Sequence, residues 1–477
     1  MRGRLVPLIL ASVLFCACFP GFDTTNDVEP LELAPRPDAG DFVGPLWADG
    51  MVLKDRLNRE VMLRGVNVGS AGKVAPFSPL DDPAWLDRVA QWGFNAIRIV
   101  CIWEAVEPQP GQYDEQYLQS IAALADEAGA RGLWVIIDWH SDLYSWQLWG
   151  AGAPSWALPA GIAPLDPPPP DDWYWAYLRK EVIQAYADFY ADDDLVSSDI
   201  AAHSELAARL ASKQNVLGYE LMYQPYASPF DGGFGDGPLL AYYARKIQAL
   251  RAVDPEAILF YAPPRLRNAW DEGALPPLEG GGLVISAPYI DTGVFINDEY
   301  SGLDKGIRSA LSGLRGVREK YGRPVCLSAW GARPTTVLGD AFADHVMWMV
   351  ERYNLHSFYY DLNPSGRLFN GEDFSLIGAD GQAGPALEKL IRPFPARVAG
   401  ELDLYEFNAA TREFQMKWLE TGVWAFTEVA IPPDLYPEGA KIRISDGEYI
   451  YDHERNRLLI LGDPEYGLHW LIIRPVG

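Results

Sequence analysis

"NAIRIVCIWEAVEPQPGQYDEQYLQSIAALADEAGARGLWVIIDWH", residues 95–140, holds two apolar runs with an amphipathic run between them. Asn95–Ile102 and Leu133–Trp139 are short, apolar and rich in branched residues, the pattern of strands covered on both faces. Glu115–Arg131 instead spaces its apolar residues at helical period. Strand, helix and second buried strand in that order predict a parallel β-α-β unit, because parallel neighbours need a long crossover.

The unit repeats. Strand-like runs occur at Val61–Val68, Asn95–Ile102, Leu133–Trp139, Val216–Met222, Ala257–Ala262, Leu283–Tyr289, Pro324–Trp330 and Leu355–Leu362. Helical stretches such as Leu239–Ala252, Asp304–Tyr321 and Asp340–Tyr353 lie between them. Eight such strands predict a (β/α)8 barrel over residues 43–392, with any chemistry at the carboxy-terminal strand ends. One connection, His140–Asn215, is far longer than the rest and carries Trp146, Trp149, Trp156, Trp173 and Trp175. Those rings either line a cleft or pack the excursion onto the barrel. After Ile391 the period changes to two, with a turn between Glu406–Asn408 and Glu413–Met416 and later strands near Lys441–Ile444 and Leu458–Leu461. Residues 393–477 therefore predict a small β-sandwich.

The amino end has another character. Arg2 and Arg4 precede the apolar run Leu5–Phe15, which is too short to span a bilayer and right for an export signal over residues 1–18. Ala17-Cys18 at its end resembles the lipobox of bacterial lipoproteins, with Phe15 where Leu is usual. Cys18 is thus the expected lipidation site, and 19–42, rich in Pro, Asp and Thr, the expected tether. Export from a bacterial cell follows, either anchored to a membrane through the lipid or secreted. Lys and Arg number 39 against 65 Asp and Glu, a net charge of −26 that disfavours nucleic acid as a partner. Cys101 and Cys326 sit in apolar runs and make no metal or disulfide framework. No cofactor is expected, and the chain is expected to be monomeric.

The strand ends carry the candidate site: Arg98 on the second strand, "DWHSDLYS" (138–145) on the third, "ELMYQP" (220–225) on the fourth, "SAPYIDTGVF" (286–295) on the sixth, "SAWGA" (328–332) on the seventh and "YYD" (359–361) on the eighth. Together "GFNAIRI", "WEAVEPQPGQYDEQYL", "DWHSDLYS", "VLGYEL", "APYIDTGVF" and "PARVAGELDLYEFNAATREF" make the chain similar to glycoside hydrolase family 5, specifically its endoglycoceramidase-related branch. The resemblance runs from about residue 45 to the end. It implies a retaining mechanism with two Glu about 5–5.5 Å apart, one acid/base and one nucleophile. The resemblance puts the acid/base in Asn-Glu-Pro, where Tyr223-Gln224-Pro225 stands, and the nucleophile in Thr-Glu-Trp-Gly-Ala, where Ser328-Ala329-Trp330-Gly331-Ala332 stands. A His-x-Tyr-like pair on the sixth strand reads Pro288-Tyr289.

An amide does not titrate and a methyl group has no heteroatom, so neither Gln224 nor Ala329 replaces a Glu. Arg98, His140, Asp142, Tyr223, Tyr289 and Trp330 are the expected ligand-binding residues, although Arg98 and His140 equally suit a bracing role. The expected protein is a pseudoglycosidase that binds a glycan or glycolipid without cutting it. Alternatives are an active glycosidase on β-glycosides or glycosylceramides using displaced carboxylates, and a scaffold lipoprotein. Asp138, Asp142, Asp291 and Asp361 are expected nearest the rim; Glu220, four residues before Gln224 on the same strand, lies roughly 13 Å deeper at about 3.3 Å per residue, and Glu104 and Glu107 belong to the second loop. Replacing Cys18 by Ser should release the protein from the membrane fraction; unchanged partition of the variant would refute lipidation there.

Overall fold

The computed structural model describes residues 44–166, 173–226, 237–265 and 278–476. The export signal, Cys18 and the tether lie outside the described residues. Eight parallel strands close into a barrel: β1 (Arg64–Val68), β2 (Ala96–Cys101), β3 (Trp134–Trp139), β4 (Val216–Glu220), β5 (Ile258–Tyr261), β6 (Leu283–Ser286), β7 (Val325–Trp330) and β8 (His356–Leu362), the last pairing with the first. Each expected run supplies one strand. Between them come helices including Glu115–Ala130, Gly237–Val253, Lys305–Tyr321 and Gly339–Arg352. The long connection after β3 folds mainly as two helices, Lys180–Ala191 and Asp193–Leu210.

Alternate residues along each strand divide the barrel into layers. Ile97, Ile99, Val135, Ile137, Leu259 and Ile285 face the helices and join their apolar faces in one core. The opposite parity fills the interior: Ala96, Trp134, Ile136, Ile258, Phe260, Val284, Cys326 and Phe358 form an apolar floor. One pleat further toward the strand ends the same face carries Asn67, Arg98, Asp138, Glu220, Ser286 and Ser328, all buried. An apolar base under a polar layer is what places charge at the mouth. Close strand approach needs Gly218, whose φ is 153° and where a Cβ would stand 1.7 Å from the Ile258 carbonyl oxygen.

Eight further strands follow: β9 (Phe394–Val398), β10 (Glu401–Asn408), β11 (Glu413–Leu419), β12 (Thr427–Ala430), β13 (Ala440–Ile444), β14 (Glu448–Asp452), β15 (Arg457–Leu461) and β16 (Leu468–Pro475). β10, β11, β16 and β13 form one antiparallel sheet, and β9, β12, β15 and β14 belong to a second. Three amino-terminal strands, Leu46–Asp49, Val52–Asp55 and Glu60–Val61, extend the second sheet by pairing with β9. Residues 46–61, expected within the barrel segment, are therefore sandwich strands. Their apolar side chains Leu46, Leu53 and Val61 cap the barrel floor, which explains why their apolar pattern reads like the barrel's own.

Charged side chains buried at the junction lock the two units together. Glu351, on the helix before β8, accepts the Phe407 N–H of β10 at 3.0 Å and lies beside Arg392 and Arg64 at 3.5 and 3.8 Å. Arg64 in turn donates to the Tyr405 hydroxyl at 3.0 Å. Removing one partner of such a cluster leaves uncompensated buried charge and costs about 3–5 kcal/mol. Glu351→Ala should therefore lower the melting temperature and split one calorimetric transition into two; an unchanged single transition would show that the junction carries no such coupling.

Candidate active site

The barrel mouth is organised by one line of buried charge. Arg98 on β2 donates from Nε to Glu220 Oε2 at 3.1 Å and from Nη1 to Asn67 Oδ1 at 2.6 Å, and its Nη1 stands 2.7 Å from Asp138 Oδ2. Asp138 Oδ2 meets His140 Nδ1 at 2.8 Å, and His140 Nε2 meets Asp142 Oδ2 at 2.8 Å. Asp142 Oδ2 accepts from Lys73 Nζ at 3.2 Å, and the same ammonium donates to Glu372 Oε2 at 2.7 Å. Carboxylate and cation alternate from Glu220 to Glu372.

Neighbouring charge decides the ionisation of these groups. Burial opposes a charged His140, but Asp138 and Asp142 outweigh it and raise its pKa above the ordinary value. Burial likewise opposes an ionised Asp142, but Lys73 and then His140 hold it well below the usual carboxylate range. At the two ends burial wins: Glu220 is raised despite Arg98, and Glu372 despite Lys73.

Tyr223 roofs this line. Its ring stacks on His140 with centroids 4.5 Å apart and an interplanar angle of 17°, and the Arg98 guanidinium lies 4.9 Å from the ring centre. Gln224 follows with a left-handed φ of 46°, unfavourable for a residue with a Cβ, and its Nε2 donates to the Tyr223 hydroxyl at 2.9 Å. Gln224, Ala329, Tyr223, His140, Asp142, Tyr289 and Trp330 all line one cavity at the mouth. It spans about 560 Å³ with its open side included, but only about 60 Å³ of it admits the centre of a water molecule.

Most of the expected site residues thus come together. Arg98 does not: it lies beneath Tyr223 and outside the cavity wall, as a brace between strands. Trp330 presents a ring to the cavity while its Nε1 donates to Ser357 at 2.8 Å. Tyr289 donates to Asp291 at 3.3 Å, and Asp291 also caps the helix Thr292–Asn297 by accepting two backbone N–H groups. Of the four rim carboxylates, Asp142 and Asp291 line the cavity; Asp138 and Asp361 are buried below it, Asp361 accepting the Ser70 N–H at 2.9 Å. Burial pushes the Asp361 carboxyl up to about 6. Glu107 is held by the Trp103 indole and the Gly111 N–H, away from the cleft. Burial raises Glu104 to about 7, and it too stands outside the cavity wall. Among the five Trp of the long connection, Trp173 lines the cavity, Trp149 and Trp156 pack inward, and Trp146 and Trp175 are exposed. Both expectations for those rings are met in part.

Three charged cavity residues, Lys73, Arg265 and Glu372, lie outside the motifs read from the sequence, as does Phe374. Lys73 and Arg265 follow β1 and β5, so their places just after strand ends are the signal that the sequence carries for them. Glu372 sits ten residues past β8 in a loop without periodicity.

Residues 58–366 match the model of the cellulase family, glycosyl hydrolase family 5. The chain belongs to glycosyl hydrolase family 5. Residues 392–471 match the family 5 C-terminal domain, so both units have family counterparts. Among curated relatives, endoglycoceramidase I of Rhodococcus hoagii is 26% identical over 434 residues, covering 84% of this chain and 83% of its own. The solved endo-glycoceramidase II from a Rhodococcus species, in complex with ganglioside GM3, shares the fold with a TM-score of 0.78 and 24% identity over 90% of this chain and 100% of its own. Sterylglucosidase 1 of Cryptococcus neoformans gives a TM-score of 0.75 at 16% identity, over 91% of this chain and 97% of its own.

The raised His140 pKa has a testable consequence. The charged imidazolium stabilises the fold fully below about pH 6.5, and this is lost as pH rises through the folded-state pKa. The melting-temperature gap between wild type and His140→Gln should therefore narrow as pH rises above about 6.5. A constant gap would show that His140 carries no extra proton in the fold.

Proposed function

We propose that this family 5 protein binds a glycan or glycolipid at the barrel mouth and does not hydrolyse it. The observation that carries this is the shared cavity of Gln224, after β4, and Ala329, within β7. These are the positions at which the resemblance puts acid/base and nucleophile. An amide neither gives nor retakes a proton, and Ala329 offers no atom to attack an anomeric carbon, so neither half of a double displacement can run there. Tyr223 adds a steric reason. Stacked on His140, it fills the depth of the cleft, leaving the open mouth for a sugar to contact the aromatic rim. The endoglycoceramidase relatives support a glycolipid as the ligand.

One arrangement favours a second reading, hydrolysis by displaced carboxylates. Lys73 Nζ contacts both Asp142 and Glu372, so these two carboxylates stand within about 6 Å of each other, near the spacing of a retaining pair. Their pKa values are also driven apart, Asp142 down and Glu372 up, as an acid and a nucleophile would need. Against it, the Lys73 ammonium occupies the space between them, and Asp142 is further engaged by His140 and Tyr177. A sugar carbon cannot stand where the ammonium does.

Prolonged incubation of wild type with glycosylceramides and aryl β-glycosides should give no product. Gln224→Glu alone should remain inactive because the nucleophile is still missing. Turnover by wild type that disappears in Asp142→Asn or Glu372→Gln would overturn the proposal in favour of the second reading.

A further inference from the structure

We propose that the sugar held at the mouth carries a carboxylate, as a uronic acid unit does, and that Arg265 recognises it; this rests on the cleft being a glycan site. Arg265 follows β5, and its backbone N–H donates to the Pro225 carbonyl, which sets it beside Gln224 in the cavity wall.

The other charges of the wall are already answered. Lys73 is taken by Glu372 and Asp142, and His140 by Asp138 and Asp142. Asp291 receives two helix N–H groups and the Tyr289 hydroxyl. Arg265 differs. Among the described residues no carboxylate comes within ion-pair distance of it, and its buried Nε has no hydrogen-bond partner. It is nevertheless held in place, with the guanidinium carbon 4.9 Å from the centre of the Tyr177 ring. Tyr177 is itself fixed by donating to Asp142 at 3.0 Å.

A stacked guanidinium keeps its edge for a ligand, and that edge offers two parallel donors to one planar acceptor. A carboxylate satisfies two donors and brings a charge of opposite sign; a sugar hydroxyl satisfies one donor and brings no charge. The aromatic walls Trp173, Tyr289, Phe295 and Trp330 provide apolar faces for the ring that bears it.

The test uses three probes that differ only at the sixth carbon: methyl β-glucoside, methyl β-glucuronide and the 6-sulfated glucoside. Calorimetric titration at low salt should show the glucuronide binding about tenfold or more tighter than the glucoside. Arg265→Gln should erase that preference by weakening glucuronide binding far more than glucoside binding, and Arg265→Lys should keep part of it. Melting temperatures of both variants report whether loss of the Tyr177 stack disturbs the fold. Equal binding of glucoside and glucuronide by wild type overturns the inference and leaves the glycan site standing. Sulfate binding as tight as carboxylate overturns the assignment to a uronate. Binding of none of the three sinks the inference together with the glycan site.

Discussion

Seven side chains in a row, Glu220, Arg98, Asp138, His140, Asp142, Lys73 and Glu372, bind each other in sequence through the barrel mouth. They come from four barrel strands or the loops that follow them: β1, β2, β3 and β4, with Glu372 from beyond β8. Each buried charge would be costly alone and is tolerable only because its neighbour has the opposite sign. The line therefore fixes which loops sit together, and through them the walls of the cleft. It also explains why Asp142 and Glu372 shift in opposite directions: Asp142 has a cation on each side, whereas Glu372, like Glu220, has one cation to set against burial.

That arrangement bears directly on catalysis. A retaining glycosidase needs two carboxyl groups that face the sugar and are free to exchange a proton and form a bond. Here the carboxylates of the mouth are spent on holding cations, on capping a helix or on bracing strands. Tyr223 lies flat over the line rather than leaving it open to substrate. On the proposed reading, the same groups that stabilise the mouth are unavailable for chemistry. The proposed binding asks only for aromatic faces and well-placed donors.

The barrel was legible because strands buried on both faces read as short apolar runs, and all eight lie where such runs occur. The amino-terminal strands were not separable from it, because Leu53 and Val61 face the barrel floor and look apolar for the same reason as barrel residues. At the site, His140, Asp142, Gln224, Ala329, Tyr289 and Trp330 stand near strand ends and converge as their positions imply. Arg98 misleads because a strand-end arginine suits ligand contact or bracing equally, and only the stacked Tyr223 decides between them. Glu372 reaches the cleft through a loop whose path no periodicity encodes.

The central claim is that no carboxylate in this cleft forms a bond to sugar. Mass spectrometry of wild type after incubation with a 2-deoxy-2-fluoroglycosyl fluoride tests it directly, because such reagents accumulate as the covalent adduct in retaining enzymes. The account predicts an unmodified protein mass; an added glycosyl mass mapped to Asp142, Asp291 or Glu372 would contradict it.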